Sequence, residues 1–69
     1  MKKYRYLKVI QQHYSSSYGW EDVSEYETDS TGYANKEQRW LLSHDLKEYR
    51  LTGYPTRVIK RRELNTVTV

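Results

Sequence analysis

The pattern of apolar and polar residues along the first third of the chain predicts two strands. Residues 4 to 14 are rich in aromatic and β-branched side chains and contain no glycine or proline, which is typical of a strand. Apolar residues fall on both alternating sets of this segment, so we expect it at the centre of a sheet. Residues 20 to 28 predict a second, more polar strand, joined to the first by a hairpin loop that contains Gly19.

The spacing changes to that of an amphipathic helix between residues 36 and 51. Asn35 is a good capping residue, and Gln38 follows it three positions later, as in a capping box. Gly53 supplies a stop signal, and Pro55 prevents the helix from continuing. Residues 56 to 63 then predict a third strand, with one β-branched residue on each face.

The order β-β-α-β predicts an α+β domain. A hairpin followed by a helix that returns across the sheet gives an antiparallel sheet of order 2-1-3 with the helix on one face. We expect one small domain over residues 1 to 64 and a C-terminal tail over residues 65 to 69. The opposite face has no predicted element to cover it, and we expect the tyrosines of the first strand there, namely Tyr4, Tyr6 and Tyr14.

Composition favours a folded chain over a disordered one. The mean hydropathy is only −1.06, but eight tyrosines and two tryptophans provide large side chains that can bury area while they keep a polar end in water. Cysteine is absent, so neither a disulfide nor a thiolate metal site can stabilise the domain. No apolar run has the length of a signal peptide or a membrane span, which predicts a cytoplasmic protein.

Catalytic and metal chemistry find no support in the sequence. Ser43, His44 and Asp45 are consecutive, and consecutive residues of a helix point about 100° apart, so they cannot form the in-line relay of a triad. His13 and His44 are the only histidines and have no suitably spaced partner ligands. We therefore expect a protein that is not an enzyme and that needs no cofactor.

Charge is arranged in stripes along the chain, although the net charge is only +3. Basic residues dominate residues 2 to 8 and 57 to 63, while residues 21 to 29 are acidic. This layout predicts an acidic edge strand and a basic edge strand on opposite sides of the sheet. Acidic side chains on an edge strand deter pairing with other chains. Beyond this, the acidic residues suggest no more than a local electrostatic contact with a partner.

The helix carries two apolar stripes where a surface helix needs only one. The stripe that we expect against the sheet consists of Leu42, Leu46 and Tyr49. The second stripe lies roughly opposite and consists of Trp40, His44, Lys47 and Leu51. Either Trp40 packs along the rim, against the tail or the loop that contains Tyr33, or this stripe is a contact patch for a partner protein or a second copy of the chain.

The aromatic-rich, cysteine-free chain, in which YGWEDVSEYET leads through a capped helix to GYPTRVIKRRE, resembles small accessory proteins encoded by bacteriophages. Over residues 4 to 63 its layout is similar to that of phage inhibitors of host RNA polymerase and of compact anti-CRISPR proteins. The resemblance implies a small protein that occupies the surface of a larger host protein in the host cytoplasm. The residues expected to bind that partner are Trp40, His44, Lys47, Leu51, Tyr4 and Tyr6.

Nucleic-acid binding is the alternative function. A basic edge strand could contact phosphates, and tyrosines on the uncovered sheet face could stack on bases. The cationic residues expected to take part are Lys8, Lys60, Arg61 and Arg62. The acidic second strand argues against this alternative because it would repel a phosphate backbone that crosses the sheet.

Overall fold

The computed structural model describes residues 3–15 and 19–64, which form a three-stranded sheet and one helix. The elements in chain order are β1 Tyr4–Ser15, β2 Gly19–Thr28, α1 Lys36–Arg50 and β3 Thr56–Leu64. The sheet is antiparallel with the order β2-β1-β3, so the predicted α+β architecture is confirmed. The tail over residues 65 to 69 lies outside the described residues.

Strand β1 is central, and its side chains alternate between the two faces of the sheet. Its even-numbered residues from Tyr4 to Gln12 point to the face that carries α1, which we call the helix face. Its odd-numbered residues from Arg5 to His13 point to the other face, which we call the open face. Ile10 on the helix face and Val9 on the open face are both fully buried, as expected for a central strand with apolar residues on both sides.

Strand β2 contains a β-bulge at Val23. Ser24 pairs with Ile10 and Asp22 pairs with Gln11, so Val23 has no Cα partner on β1. The carbonyl oxygen of Val23 accepts a hydrogen bond of 3.2 Å from the hydroxyl of Tyr49 in α1. The bulge changes the alternation of β2 and brings the side chain of Asp22 to the open face beside Gln11.

The predicted signals at both ends of α1 are present in the structure. The side chain of Asn35 accepts a hydrogen bond of 2.8 Å from the backbone nitrogen of Gln38, which is the N-cap interaction. At the other end, Gly53 has a φ of +86°, a left-handed conformation that favours glycine. The helix is therefore delimited by local chemistry at each terminus.

Polar groups hold α1 against the sheet, because none of the helix residues is fully buried. The amide nitrogen of Gln12, which is 2 % exposed, donates to the carbonyl of Tyr49 and the hydroxyl of Thr52, both at 2.9 Å. The hydroxyl of Thr56 at the start of β3 lies 3.3 Å from the same nitrogen. We call this set of contacts the Gln12 clamp, and it joins the central strand, the end of the helix and the third strand.

A second polar contact lies nearer the middle of the helix. Tyr26 is 4 % exposed, and its hydroxyl donates to the carboxylate of Asp45 while it accepts a hydrogen bond of 2.8 Å from Ser24. Burial, together with the hydrogen bond to Asp45, raises the pKa of Tyr26 from 10.0 to about 12. The neutral phenol is therefore the form that the folded state stabilises.

Replacing Gln12 by Ala should lower the free energy of unfolding by about 2 kcal/mol, because the hydrogen bonds that join the central strand to the helix end and to β3 are lost. Urea denaturation followed by circular dichroism measures the change. Tyr14→Phe is the matched control, since it removes only the hydrogen bond of 2.8 Å to Oε1 of Gln12 and should cost about 1 kcal/mol or less. If the two variants lost the same free energy of unfolding, the role of the Gln12 clamp would be contradicted.

Alkaline pH should weaken the fold through Tyr26. Because the folded-state pKa of Tyr26 is raised from 10.0 to about 12, the stability that depends on its neutral form is complete below pH 10.0 and is lost as the pH rises toward 12. The thermal midpoints of the wild type and of Tyr26→Phe, measured across this range, check the prediction. The variant should show a shallower decline, and parallel curves would refute it.

Candidate functional site

The helix presents Trp40, His44, Lys47 and Leu51 on the side that faces away from the sheet, and we call this set the outer stripe. Trp40 is 60 % exposed and Leu51, at the C-cap, is 82 % exposed. The residues of α1 that face the sheet are less exposed and include Leu42, Leu46 and Tyr49. The helical spacing therefore predicted the orientation of Trp40 correctly.

Trp40 is stacked on His44, and its expected alternative contact with the tail lies outside the described residues. The two rings are nearly parallel, with an interplanar angle of 12° and centroids 5.0 Å apart. Tyr33, the aromatic residue of the neighbouring loop, instead has the guanidinium of Arg39 over its ring at 4.8 Å. The outer stripe thus carries a flat pair of aromatic rings that both remain in contact with solvent.

A polar connection links the outer stripe to the interior. The Nδ1 atom of His44 lies 3.4 Å from Oδ1 of Asp45, and the other carboxylate oxygen of Asp45 accepts the hydrogen bond from buried Tyr26. The hydrogen bond between Asp45 and Tyr26 joins α1 to β2. The sequence Ser43-His44-Asp45 therefore has a structural explanation.

The described residues contain neither a metal-binding group nor a membrane-spanning helix. Within residues 3–15 and 19–64, no group of three or more His, Cys, Asp or Glu side chains is placed to hold a metal ion. In the same part of the chain, no helix is long and apolar enough to cross a membrane.

The tyrosines of β1 lie on a different face from the one that the sequence predicted. Tyr4 and Tyr6 are on the same alternating set as Ile10 and Gln12, which face α1. Tyr14 also belongs to the helix face, since its hydroxyl bonds to Gln12 and its ring contacts that of Tyr54 edge-on at 4.8 Å. The expectation of a tyrosine-rich open face is therefore wrong, because the helix packs over the even-numbered residues of β1.

The open face is covered by a polar network that crosses the central strand. The guanidinium of Arg61 on β3 binds the carboxylate of Asp22 on β2 through both of its terminal nitrogens. The side chain of Gln11 donates to Asp22 at 2.8 Å and accepts from Nε of Arg57 at 2.8 Å. By register, the Arg61–Asp22 pair spans β1 at the level of Val9, so the acidic and basic edges neutralise each other here.

Aromatic and ionic contacts complete this face. The guanidinium of Arg57 lies over the ring of Trp20 at 4.1 Å, and the ring of His13 meets Trp20 edge-on at 5.3 Å. Arg5 lies between two carboxylates, 3.5 Å from Glu27 and 3.9 Å from Glu63. The arginines of the open face are thus engaged with partners in the protein, which makes this face a poor surface for phosphate groups.

The cationic residues predicted to contact nucleic acid are divided between the two faces. Arg61 is on the open face and is paired with Asp22, whereas Lys60 and Arg62 are on the helix face together with Lys8. The alternation of a strand, with a period of two residues, could have separated them from the sequence alone. The Arg61–Asp22 pair itself has no signal in the sequence, because it depends on the bulge at Val23.

Comparison of the chain with protein-family models, with curated proteins and with solved structures finds no match.

Acidic pH should weaken the fold through Asp22. Hydrogen bonds from Arg61 and then Gln11 hold the pKa of Asp22 below its ordinary value of 3.8. Stabilisation by the ionised form is therefore present above that ordinary value and is lost as the pH falls through the lower folded-state pKa. In Asp22→Asn the thermal midpoint should be lower at neutral pH and should decline less between about pH 5 and about pH 2.

Glu21→Gln is the control for this measurement, because Glu21 is an exposed carboxylate of the same strand that forms no ion pair with the described residues. Its acid decline should match that of the wild type. An Asp22→Asn variant with the wild-type acid decline would show that the network does not depend on this carboxylate.

Proposed function

We propose that this chain is a small non-enzymatic protein-binding module that contacts a larger protein through the outer stripe of α1. The observation that carries the proposal is the exposure of Trp40, which is 60 % exposed in a chain that has two tryptophans. Exposed apolar surface of this kind marks interaction sites, and tryptophan is among the residue types most enriched at the energetic centres of interfaces.

The stacking of Trp40 on His44 supports the same function. Two nearly parallel rings restrict each other's orientation, so less conformational entropy is lost when a partner covers them. The connection from His44 through Asp45 to buried Tyr26 adds to this restraint. The outer stripe is therefore a preorganised anchor rather than a mobile side chain.

The chemistry of the stripe defines the kind of partner surface. Leu51 supplies a second apolar contact eleven residues beyond Trp40, which corresponds to about 16 Å along a helix axis. Lys47 lies between the two, so the complementary surface has apolar pockets at both ends and an acidic group between them. The resemblance of the sequence to phage accessory proteins favours a host protein as the partner and inhibition or modulation as the outcome.

Trp40→Ala should weaken partner binding by about 2 kcal/mol or more. It should shift the thermal midpoint by less than about 4 °C, because surface substitutions change the free energy of unfolding by about 0.5 kcal/mol or less. Capture from nuclease-treated host lysate identifies the partner, and titration with the purified partner then gives the affinities.

Tyr33→Ala is the matched control, since Tyr33 is 58 % exposed but lies on the loop before α1. It should retain the affinity of the wild type. Equal losses in the two variants, or a large fall in the thermal midpoint of Trp40→Ala, would contradict the proposal. Sedimentation at several concentrations tests the remaining alternative, in which the stripe pairs with a second copy of the chain.

A further inference from the structure

Cationic side chains have different surroundings on the two faces of the sheet. Arg5 and Arg61 on the open face have carboxylates within 4 Å. On the helix face, Lys8, Lys60 and Arg62 have no carboxylate within that distance among residues 3–15 and 19–64. The positive charge of this second group is therefore not offset by a direct ion pair in the described part of the chain.

Lys8 and Lys60 are directly opposite each other in the ladder between β1 and β3. Like charges in this position destabilise a sheet, and they also create a local positive potential that attracts anions. Arg62 follows two residues later on the same face, opposite Tyr6. Two residues of a strand span about 7 Å, so the positive charge extends along the strands instead of being concentrated at one point.

A cavity of about 220 Å³ lies beside these cations. The loop after β2 closes one side of it, and its wall includes Tyr6, Thr28, Ser30, Gly32, Lys60 and Arg62. This volume is smaller than that of pockets for drug-sized ligands, which begin at about 300 Å³. The cavity therefore suits one small group of a longer ligand.

Gly32 leaves space for the side chain of Lys60 at the edge of the cavity. A β-carbon added at Gly32 would lie 3.0 Å from Cε and 3.2 Å from Nζ of Lys60, so the lysine passes where a side chain would otherwise be. Gly32 also has a φ of +89°, which disfavours other residues. The loop thus provides room for a cation that projects from the neighbouring strand.

Asp29 is the carboxylate that borders this cavity. Its Oδ1 atom accepts hydrogen bonds from the nitrogens of Thr31 and Tyr33 at 2.9 and 3.0 Å and from the hydroxyl of Thr31 at 2.6 Å. These bonds keep the pKa of Asp29 below its ordinary value. The carboxylate of Asp29 therefore stabilises the turn of the loop. It forms no ion pair with Lys60 or Arg62 within 4 Å.

We propose that Lys8, Lys60 and Arg62 bind the phosphate backbone of single-stranded nucleic acid, with one base in the cavity beside Tyr6. Cations interleaved with aromatic rings are typical of surfaces that bind single strands. Arg62 is stacked on Tyr4 at 4.4 Å, which leaves Tyr6 as the ring that borders the cavity. This site is separate from the outer stripe. Arg61 also borders the cavity, but its guanidinium is paired with Asp22 on the open face.

Fluorescence anisotropy with a labelled oligothymidine at low salt tests the site. Lys60→Gln should weaken binding about tenfold and should reduce the slope of log affinity against log salt by about 0.7, the contribution of one phosphate contact in a single strand. Arg5→Gln is the matched control, because it removes the same charge from an exposed residue of the open face that does not line the cavity. It should bind within about twofold of the wild type, as should Trp40→Ala.

Thermal unfolding gives a second readout that a merely structural lysine would not produce. Without nucleic acid, Lys60→Gln should be at least as stable as the wild type, because the repulsion from Lys8 is removed. With oligothymidine, the wild type should gain stability and the variant should gain less.

Three results would overturn the proposal. The first is a wild type that does not bind oligothymidine at low salt, and the second is equal weakening by Lys60→Gln and Arg5→Gln. The third is binding to anionic phosphatidylserine vesicles without binding to oligothymidine, which would assign the cations to a membrane surface.

Discussion

The Gln12 clamp is the interaction on which the arrangement of the elements depends. A single buried amide on the central strand bonds to the last turn of α1 and to the residue that begins β3. An amide of this kind has two hydrogens to donate, so its position is defined by the acceptors around it. In a helix without a fully buried residue, such directional bonds determine where the helix lies more sharply than apolar contact does.

This mode of docking has a consequence for the two sides of the helix. Its inner side needs only Asp45, Tyr49 and a partly buried apolar stripe to meet the sheet. The outer side is not needed to hold the helix on the sheet, and yet it carries Trp40 stacked on His44. This aromatic pair, which the fold does not require, is the surface through which we propose that the chain contacts another protein.

The sheet sorts its charges in a similar way. On the open face, the edge strands reach across β1 through Arg61 and Asp22 and neutralise each other. On the helix face, Lys8 and Lys60 remain opposite each other. The same alternation that builds the core of a small sheet thus divides one basic strand into a structural half and a half that is available to an anionic ligand.

The sequence by itself determined the elements and their order, because these follow from local signals such as helical spacing, the Asn35 cap and Gly53. For Trp40 it indicated the outer side of the helix but left packing along the rim open. Only the tertiary structure decided which face of β1 the helix covers, and it placed Tyr4 and Tyr6 on the side opposite to the one expected. Both sets of residues on β1 are apolar enough to be buried, so periodicity could not choose between them. The choice came from long-range contacts of Gln12 and from the bulge at Val23, which involve residues distant in the chain.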